Sequence, residues 1–227
     1  MLTIQIAAMK NTTHLLLSLG LLFSLSCSSG ENNKSASLAM KVANAYGYDH
    51  LDDVKSISYT WNVRRDSVNV LVRDWSWDIS KGEVYYSGPD TTVTYLISEK
   101  PDDLDEVDQK FINDKYWLLF PFQLAWDTGF EQEIIENQTS PISGKTTTKM
   151  IVRYNESDGY TPGDAYDLYI NDKNMIEEWV FRRGDGPEGR AFTWENIKDF
   201  DGVKITLDHF NADGEKVIWF SDVKVTR

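Results

Sequence analysis

Residues 165–182 read AYDLYINDKNMIEEWVFR, and they contain two strand patterns joined by a turn. Apolar and aromatic residues dominate 165–170 and 175–182, which suits two strands of a sheet with a buried face. Between them lies Asn171-Asp172-Lys173-Asn174, and asparagine and aspartate tolerate the positive φ that a tight turn requires. The segment therefore predicts an antiparallel β-hairpin.

The same pattern recurs on both sides of this hairpin. Turn signals such as Gly88-Pro89-Asp90, Asp201-Gly202 and Asp213-Gly214 separate short runs of period two. The further strands predicted in this way are 57–63, 68–75, 83–86, 91–97, 131–136, 147–154, 190–198, 203–210 and 215–225. Short turns exclude the long crossovers of a parallel sheet, so the pattern predicts a mainly β fold, an open (unclosed) antiparallel β-barrel of about eleven strands with covering helices.

Two segments have helical periodicity instead. The first begins at Leu38, where Ser35 or Ser37 can cap it, and Gly47 is placed to end it. The second begins near Pro101, carries an apolar stripe from Leu104 to Leu118, and is predicted to stop at Pro121. Both helices are expected to cover the barrel.

The beginning of the chain resembles a bacterial lipoprotein signal. Lys10 precedes the apolar run Leu15–Leu25, which is too short to span a bilayer, and the small residue Ser26 precedes Cys27, the single cysteine. We expect residues 1–26 to be a signal peptide, whether translation starts at Met1 or Met9, residues 27–37 to be a lipidated cysteine with a polar tether, and residues 38–227 to form a single β domain. The predicted location is the cell envelope, at the outer membrane, facing the periplasm or the surface.

The composition excludes some partners. The chain has 36 acidic and 23 basic side chains and a formal net charge of −13, so its surface as a whole repels nucleic acid and anionic lipid heads. After the leader, no apolar run is long enough to cross a membrane. The predicted membrane contact is the anchor at Cys27, and the chain is predicted to be a monomer.

The order of helix, strands, helix and strands resembles the outer-membrane lipoprotein carrier and receptor fold (LolA/LolB-like), and lipoproteins of this fold in Bacteroidota in particular. The residues that carry this resemblance are Ala45-Tyr46-Gly47, the segment 116–124 (YWLLFPFQL), and the segments 166–170 and 176–181 of the hairpin. The resemblance implies an unclosed barrel that binds a hydrophobic ligand or the acyl chain of a lipoprotein.

Aromatic residues are the remaining functional signal, since the chain contains eight tryptophans and pairs such as Tyr59 with Trp61 recur two places apart on strands. Such pairs line one face of a sheet. They either fill an ordinary core or line an apolar cavity between the concave sheet and the helices, with residues 104–118 as a movable lid. The predicted lining residues are Trp61, Trp75, Trp117, Phe120, Phe122, Trp179 and Phe181.

Two other functions remain open at this point: a module that docks a glycan or a protein through exposed aromatics, and a hydrolase that uses carboxylates. No zinc-ligand spacing, nucleophile elbow or phosphate loop occurs, so no cofactor is predicted. His50 and His209 are expected to be surface or hydrogen-bonded structural histidines. Glu177 and Glu178 are adjacent in a predicted strand, so we expect them to point to opposite faces.

Overall fold

Twelve strands and two α-helices account for most of the chain that the computed structural model describes, which is residues 37–155 and 162–227. The helices are α1 (Leu38–Ala45) and α2 (Asp105–Trp126). The strands are β1 (Ser56–Arg64), β2 (Val70–Asp78), β3 (Glu83–Ser87), β4 (Thr92–Leu96), β5 (Phe130–Thr139), β6 (Thr146–Tyr154), β7 (Ala165–Ile170), β8 (Ile176–Arg182), β9 (Arg190–Thr193), β10 (Glu195–Phe200), β11 (Val203–Phe210) and β12 (Lys216–Thr226). Short 3₁₀ turns occupy Tyr48–Asp53, Ile97–Glu99, Asp102–Leu104 and Arg183–Asp185.

All strand pairings are antiparallel, and they form two sheets. The larger sheet has the order β10-β11-β12-β1-β2-β3-β4, and the smaller one has the order β5-β6-β7-β8-β9. The edge strands β4 and β5 are not paired with each other, and α2 connects them. The prediction of a mainly β, unclosed antiparallel barrel with helices is confirmed.

The predicted single strand 190–198 is instead divided at Trp194. On one side, β9 pairs with β8, and the Trp194 N–H donates to the Glu177 carbonyl oxygen at 2.9 Å. On the other side, β10 pairs with β11, starting at Glu195. Asn196 has φ 56°, a left-handed conformation that asparagine tolerates. One chain segment thus passes from the smaller to the larger sheet, which is why twelve strands are found where about eleven were expected.

Helix α1 has the predicted ends. The Ser37 side chain accepts a hydrogen bond from the Met40 N–H at 3.3 Å, and the helix ends at Tyr46, followed by Gly47 at φ 93°. A Cβ at Gly47 would lie 1.9 Å from the carbonyl oxygen of Gly202 in the β10–β11 turn. Glycine is therefore required at position 47 both for its backbone conformation and for this close approach.

Helix α2 does not stop at Pro121, contrary to the prediction. It continues to Trp126 through a kink at Leu119, whose φ of −119° and ψ of 16° are not helical. Proline removes one helical hydrogen bond and crowds the carbonyl of the residue four places earlier, and this usually bends a helix rather than ending it when both halves are packed. Here residues 118–124 are all buried, so tertiary packing holds the second half in place.

The core lies between the two sheets and α2. Strand β2 shows how the faces are divided: Val70 and Val72 are exposed at 40% each, whereas Arg73 and Trp75 on the other face are buried. The inward aromatic residues contact one another, for example Trp179 of β8 and Trp194, which lies between β9 and β10, at 5.3 Å between ring centroids. No helix among the described residues has the length and hydropathy needed to cross a membrane.

The predictions for residues 1–26, for lipidation at Cys27 and for the tether as far as residue 36 lie outside the described residues.

Candidate ligand-binding cleft

A cleft of about 710 Å³ opens between α2 and the inner faces of both sheets. Helix α2 contributes Ile112 and Trp117, β1 and β12 contribute Val63 and Ile218, and the smaller sheet contributes the rest of its floor. Ligand pockets in proteins commonly measure about 300–1,000 Å³. The aromatic side chains of this cleft are Tyr116, Trp117, Tyr166, Trp179, Phe181 and Phe192.

The alternation of β8 explains much of this aromatic floor. Trp179 and Phe181 are two places apart, so both point inward, and the register sets Trp179 opposite Phe192 of β9. Trp117 then packs on this pair from the helix, with ring centroids 4.7 Å from Trp179 and 4.9 Å from Phe192. The floor is therefore a set of edge-to-face aromatic contacts, which are rigid at low conformational cost.

One polar atom of the floor lacks a partner. Trp179 is 1% exposed, and its Nε1–H makes no hydrogen bond to any described residue. A buried donor without an acceptor costs about 1–3 kcal/mol. An acceptor oxygen of a bound ligand would remove that cost.

The seven predicted lining residues divide into two groups. Trp117, Trp179 and Phe181 line the cleft. The other four, Trp61, Trp75, Phe120 and Phe122, are at most 4% exposed and lie in the packed core rather than on the cleft. The sequence could not separate these groups because all seven occupy inward positions, and which of them border the cleft depends on how α2 packs against the two sheets.

An ion pair between β2 and α2, which the sequence analysis did not identify, ties the helix to the sheet. Arg73 Nε donates to Asp114 Oδ2 at 2.7 Å, and its Nη2 lies 2.5 Å from Asp114 Oδ1. Trp75 Nε1 donates to the same carboxylate at 2.8 Å, and the guanidinium lies 4.0 Å from the ring centroid of Trp61. Arg73 is 8% exposed and Asp114 is fully buried.

The chemistry of this pair is that of a structural clasp. Burial raises the pKa of the Asp114 carboxyl, and the Arg73 guanidinium counteracts that shift. Bidentate pairing satisfies both charged groups in an apolar setting. A signal existed in the sequence: Arg73 interrupts the inward series of Leu71, Trp75 and Trp77, and Asp114 interrupts the apolar stripe of α2.

A second hollow of about 950 Å³ lies beside the 3₁₀ turn 48–53 and the end of α2. Its aromatic residues are Tyr48, Trp77 and Trp126, and its charged residues include Asp52, Asp53, Lys55 and Arg227. Because three aromatic side chains line this hollow and six line the cleft, we take the aromatic cleft as the candidate site.

The adjacent carboxylates Glu177 and Glu178 bind groups of a nearby loop. A register slip between Tyr169 and Ile170 leaves Glu177 as an extra residue in β8, so the expectation that Glu177 and Glu178 diverge to opposite faces is wrong. Both contact the 140–145 loop, where Glu178 accepts the N–H groups of Ile142 and Ser143, and Glu177 pairs with Lys145. They close a loop and face no cleft.

The two histidines among the described residues differ in environment. His50 is exposed, whereas His209 is buried with Nδ1 3.0 Å from the Thr193 carbonyl oxygen and Nε2 3.1 Å from that of Trp117. His209 is thus the hydrogen-bonded structural histidine that the sequence analysis expected. Within residues 37–155 and 162–227, no group of three or more histidine, cysteine, aspartate or glutamate side chains has the arrangement of a metal site.

Comparison with family models gives no match, and comparison with curated proteins gives none either. Among solved structures, a LolA superfamily protein from Nitrosomonas europaea aligns with 10% identity and a TM-score of 0.46, over 85% of this chain and 95% of that one. A DUF1329 family protein from Desulfovibrio piger aligns with 10% identity and a TM-score of 0.45, over 84% and 94%. An outer-membrane lipoprotein-sorting protein domain from Vibrio parahaemolyticus aligns with 10% identity and a TM-score of 0.43, over 83% of this chain and 93% of that one.

The names of two of these structures, the LolA superfamily protein and the lipoprotein-sorting domain, are of the kind that the sequence resemblance named. Their TM-scores are below 0.5, and they carry no inference about what this chain binds. An origin in Bacteroidota stays a prediction.

Proposed function

We propose that this protein is a lipid-anchored protein of the cell envelope that holds the apolar chain of an amphipathic ligand in the aromatic cleft. The observation that carries the proposal is the cleft itself, about 710 Å³ of space with six aromatic side chains between α2 and the two sheets. A folded protein gains about 0.8 kcal/mol for each CH₂ group buried, so such a surface favours an acyl chain or the chain of a lipoprotein. No cofactor takes part.

The contacts of α2 support a role as a movable wall. Its cleft-facing residues, among them Ile112 and Trp117, lie before the kink at Leu119, whereas residues 120–124 after it are buried. A rotation at Leu119 would move residues 105–118, which make up most of the predicted lid 104–118, without disturbing the packed residues after the kink. The Arg73–Asp114 clasp lies on the moving half and would hold the cleft closed when no ligand is bound.

The test uses isothermal titration calorimetry to measure binding of a sixteen-carbon fatty acid to the mature chain. The fatty acid is kept below its critical micelle concentration. We expect saturable binding near one to one. Ile112→Trp should weaken it at least about tenfold, because the indole fills the cleft beside Trp117 and takes the place of several methylene groups.

The matched control is Ile134→Trp on the edge strand β5, where the side chain is 48% exposed and outside the cleft. It should bind as the wild type does. The proposal fails if the wild-type chain does not bind the fatty acid, or if Ile112→Trp and Ile134→Trp bind it equally well.

A further inference from the structure

Four arginines line the same cleft, two on each side of it. Arg64 and Arg65 come from the end of β1, in the larger sheet, and Arg183 and Arg190 flank the connection from β8 to β9, in the smaller sheet. Asp164 is the carboxylate that lines the cleft with them, and it accepts the Gly184 N–H at 2.8 Å. In a chain with a formal net charge of −13, this is a local reversal of sign.

Carboxylates of the residues that the structure describes leave most of this positive charge without an ion pair. Arg65, Arg183 and Arg190 are exposed and form no ion pair with a carboxylate of residues 37–155 or 162–227. Arg64 makes its contact to a neutral group, since its Nε donates to the Lys216 carbonyl oxygen at 3.1 Å. The guanidinium groups therefore keep donors for another acceptor.

The acids of the neighbouring loop do not cancel them. The Asp185 carboxylate forms ion pairs with Arg153, 3.1 Å from the Arg153 Nε, and with Arg182. Its charge is therefore already paired with arginines outside the cleft. Glu188 lines the adjoining hollow beside Arg183 and Arg190 without pairing to either.

We propose that the ligand of the cleft is an anionic amphiphile, whose carboxylate or phosphate head group lies among Arg64, Arg65, Arg183 and Arg190 while its chain lies on the aromatic floor. This inference rests on the proposed function and adds the charge of the head group. Arginine presents a planar fork of donors that suits carboxylate and phosphate oxygens.

The experiment compares a sixteen-carbon fatty acid, the monoalkyl phosphate of the same length and the uncharged alcohol, by calorimetry at pH 7.5 and low salt. We expect both anions to bind at least tenfold more tightly than the alcohol, and a tenfold difference equals 1.4 kcal/mol. The double variant Arg183→Gln, Arg190→Gln, which leaves two of the four guanidinium groups in place, should reduce that difference and weaken binding of the anions more than binding of the alcohol.

The control carries the same change in net charge away from the cleft. Lys173→Gln with Lys224→Gln alters two exposed lysines that do not line it, and this variant should bind the anions within about twofold of the wild type. Raising the salt concentration from 0.05 to 0.5 M should weaken binding of the anions to the wild-type chain and not that of the alcohol, a result that does not depend on any variant.

The outcomes separate the two proposals. If the alcohol binds as tightly as the anions, and Ile112→Trp weakens all three, the cleft holds a chain but the head-group inference is overturned. If inorganic phosphate competes with the fatty acid as strongly as the alkyl phosphate does, the site binds a free anion, and the inference that its ligand is an amphiphile is overturned. If none of the three binds, the proposed function falls as well.

Discussion

His209 occupies the gap that Pro121 opens in helix α2. Proline has no N–H, so the carbonyl oxygen of Trp117, four places earlier, has no helical donor, and His209 Nε2 lies 3.1 Å from it. The other ring nitrogen lies 3.0 Å from the carbonyl oxygen of Thr193. One side chain thus joins the kinked helix to the point where the chain passes between the sheets.

The buried position of His209 predicts a pH dependence of stability. Burial lowers the pKa of His209 from its ordinary value of 6.5 to about 4, and the two carbonyl oxygens oppose that shift only in part. Since the unfolded chain binds the proton and the folded chain does not, this contribution is complete above about pH 6.5 and is lost as the pH falls towards 4. A shift of this size corresponds to about 3 kcal/mol.

The measurement is urea unfolding of the mature chain at several pH values between 7.5 and 4.5. The His209→Gln variant, which keeps an N–H donor, should lose less free energy of unfolding over this range than the wild type does. His50→Gln, at an exposed position, should retain the wild-type slope. Equal slopes for the wild type and His209→Gln would show that His209 is not the group responsible.

The two halves of helix α2 differ in burial. Residues 118–124 are buried continuously, whereas several residues of the first half, including Glu106, Gln109 and Asn113, are exposed. The clasp between Arg73 and Asp114 belongs to the exposed half. The first half should therefore open locally more often than the second, because fewer apolar contacts oppose its opening.

Hydrogen exchange measured by mass spectrometry tests this division. Amides of 105–118 should exchange faster than those of 119–126, and Asp114→Asn should raise exchange in 105–118 by at least about tenfold. The reason is that losing one member of a buried pair costs about 3–5 kcal/mol, since Arg73 stays buried without its counter-charge.

Asp105→Asn is the control on the same helix, because Asp105 pairs with Lys100 at the surface and exposed pairs contribute about 0–1 kcal/mol. It should change exchange in 105–118 much less. Uniform exchange along α2, or equal effects of the two variants, would contradict a helix built from a mobile and a fixed half.

On the scale of the whole molecule, one chain runs through two sheets without closing them. Strand order follows chain order from β5 to β9 and from β10 to β12, and β12 then returns to pair with β1. The edge strand β5 carries Glu131, Glu133 and Glu136. Charged side chains on an edge disfavour pairing with a second chain, which agrees with the predicted monomer.

The lipid anchor at Cys27 is a prediction for the chain that includes residues 1–36, expressed in a bacterium. Wild-type protein should sediment with membranes, label with a fatty-acid precursor and dissolve in detergent, because three acyl chains at Cys27 bind membranes stably. Cys27→Ser should abolish labelling, whereas Ser28→Ala, one residue further on, should not. Labelling that persists in Cys27→Ser would show that Cys27 is not the modified residue.

Much of the fold could be predicted because its signals are local. Period-two runs and Asn-Asp or Asp-Gly turns specify hairpins, since a strand with one buried face must alternate and a tight turn must accept positive φ. The ends of α1, at Ser37 and Gly47, are local for the same reason. Continuation of α2 past Pro121 was missed because it depends on packing around residues 118–124.

The sequence by itself determined the strands, their antiparallel order, the acidic surface and the set of inward aromatic residues, because these follow from alternation, turn chemistry and charge along the chain. Only the tertiary structure decided which aromatic residues line the cleft and that Arg73 pairs with Asp114. It also brought two pairs of arginines, more than a hundred residues apart in the chain, to one opening. Those facts depend on the bend at Trp194 and the kink at Leu119, where packing between distant segments outweighs local preference.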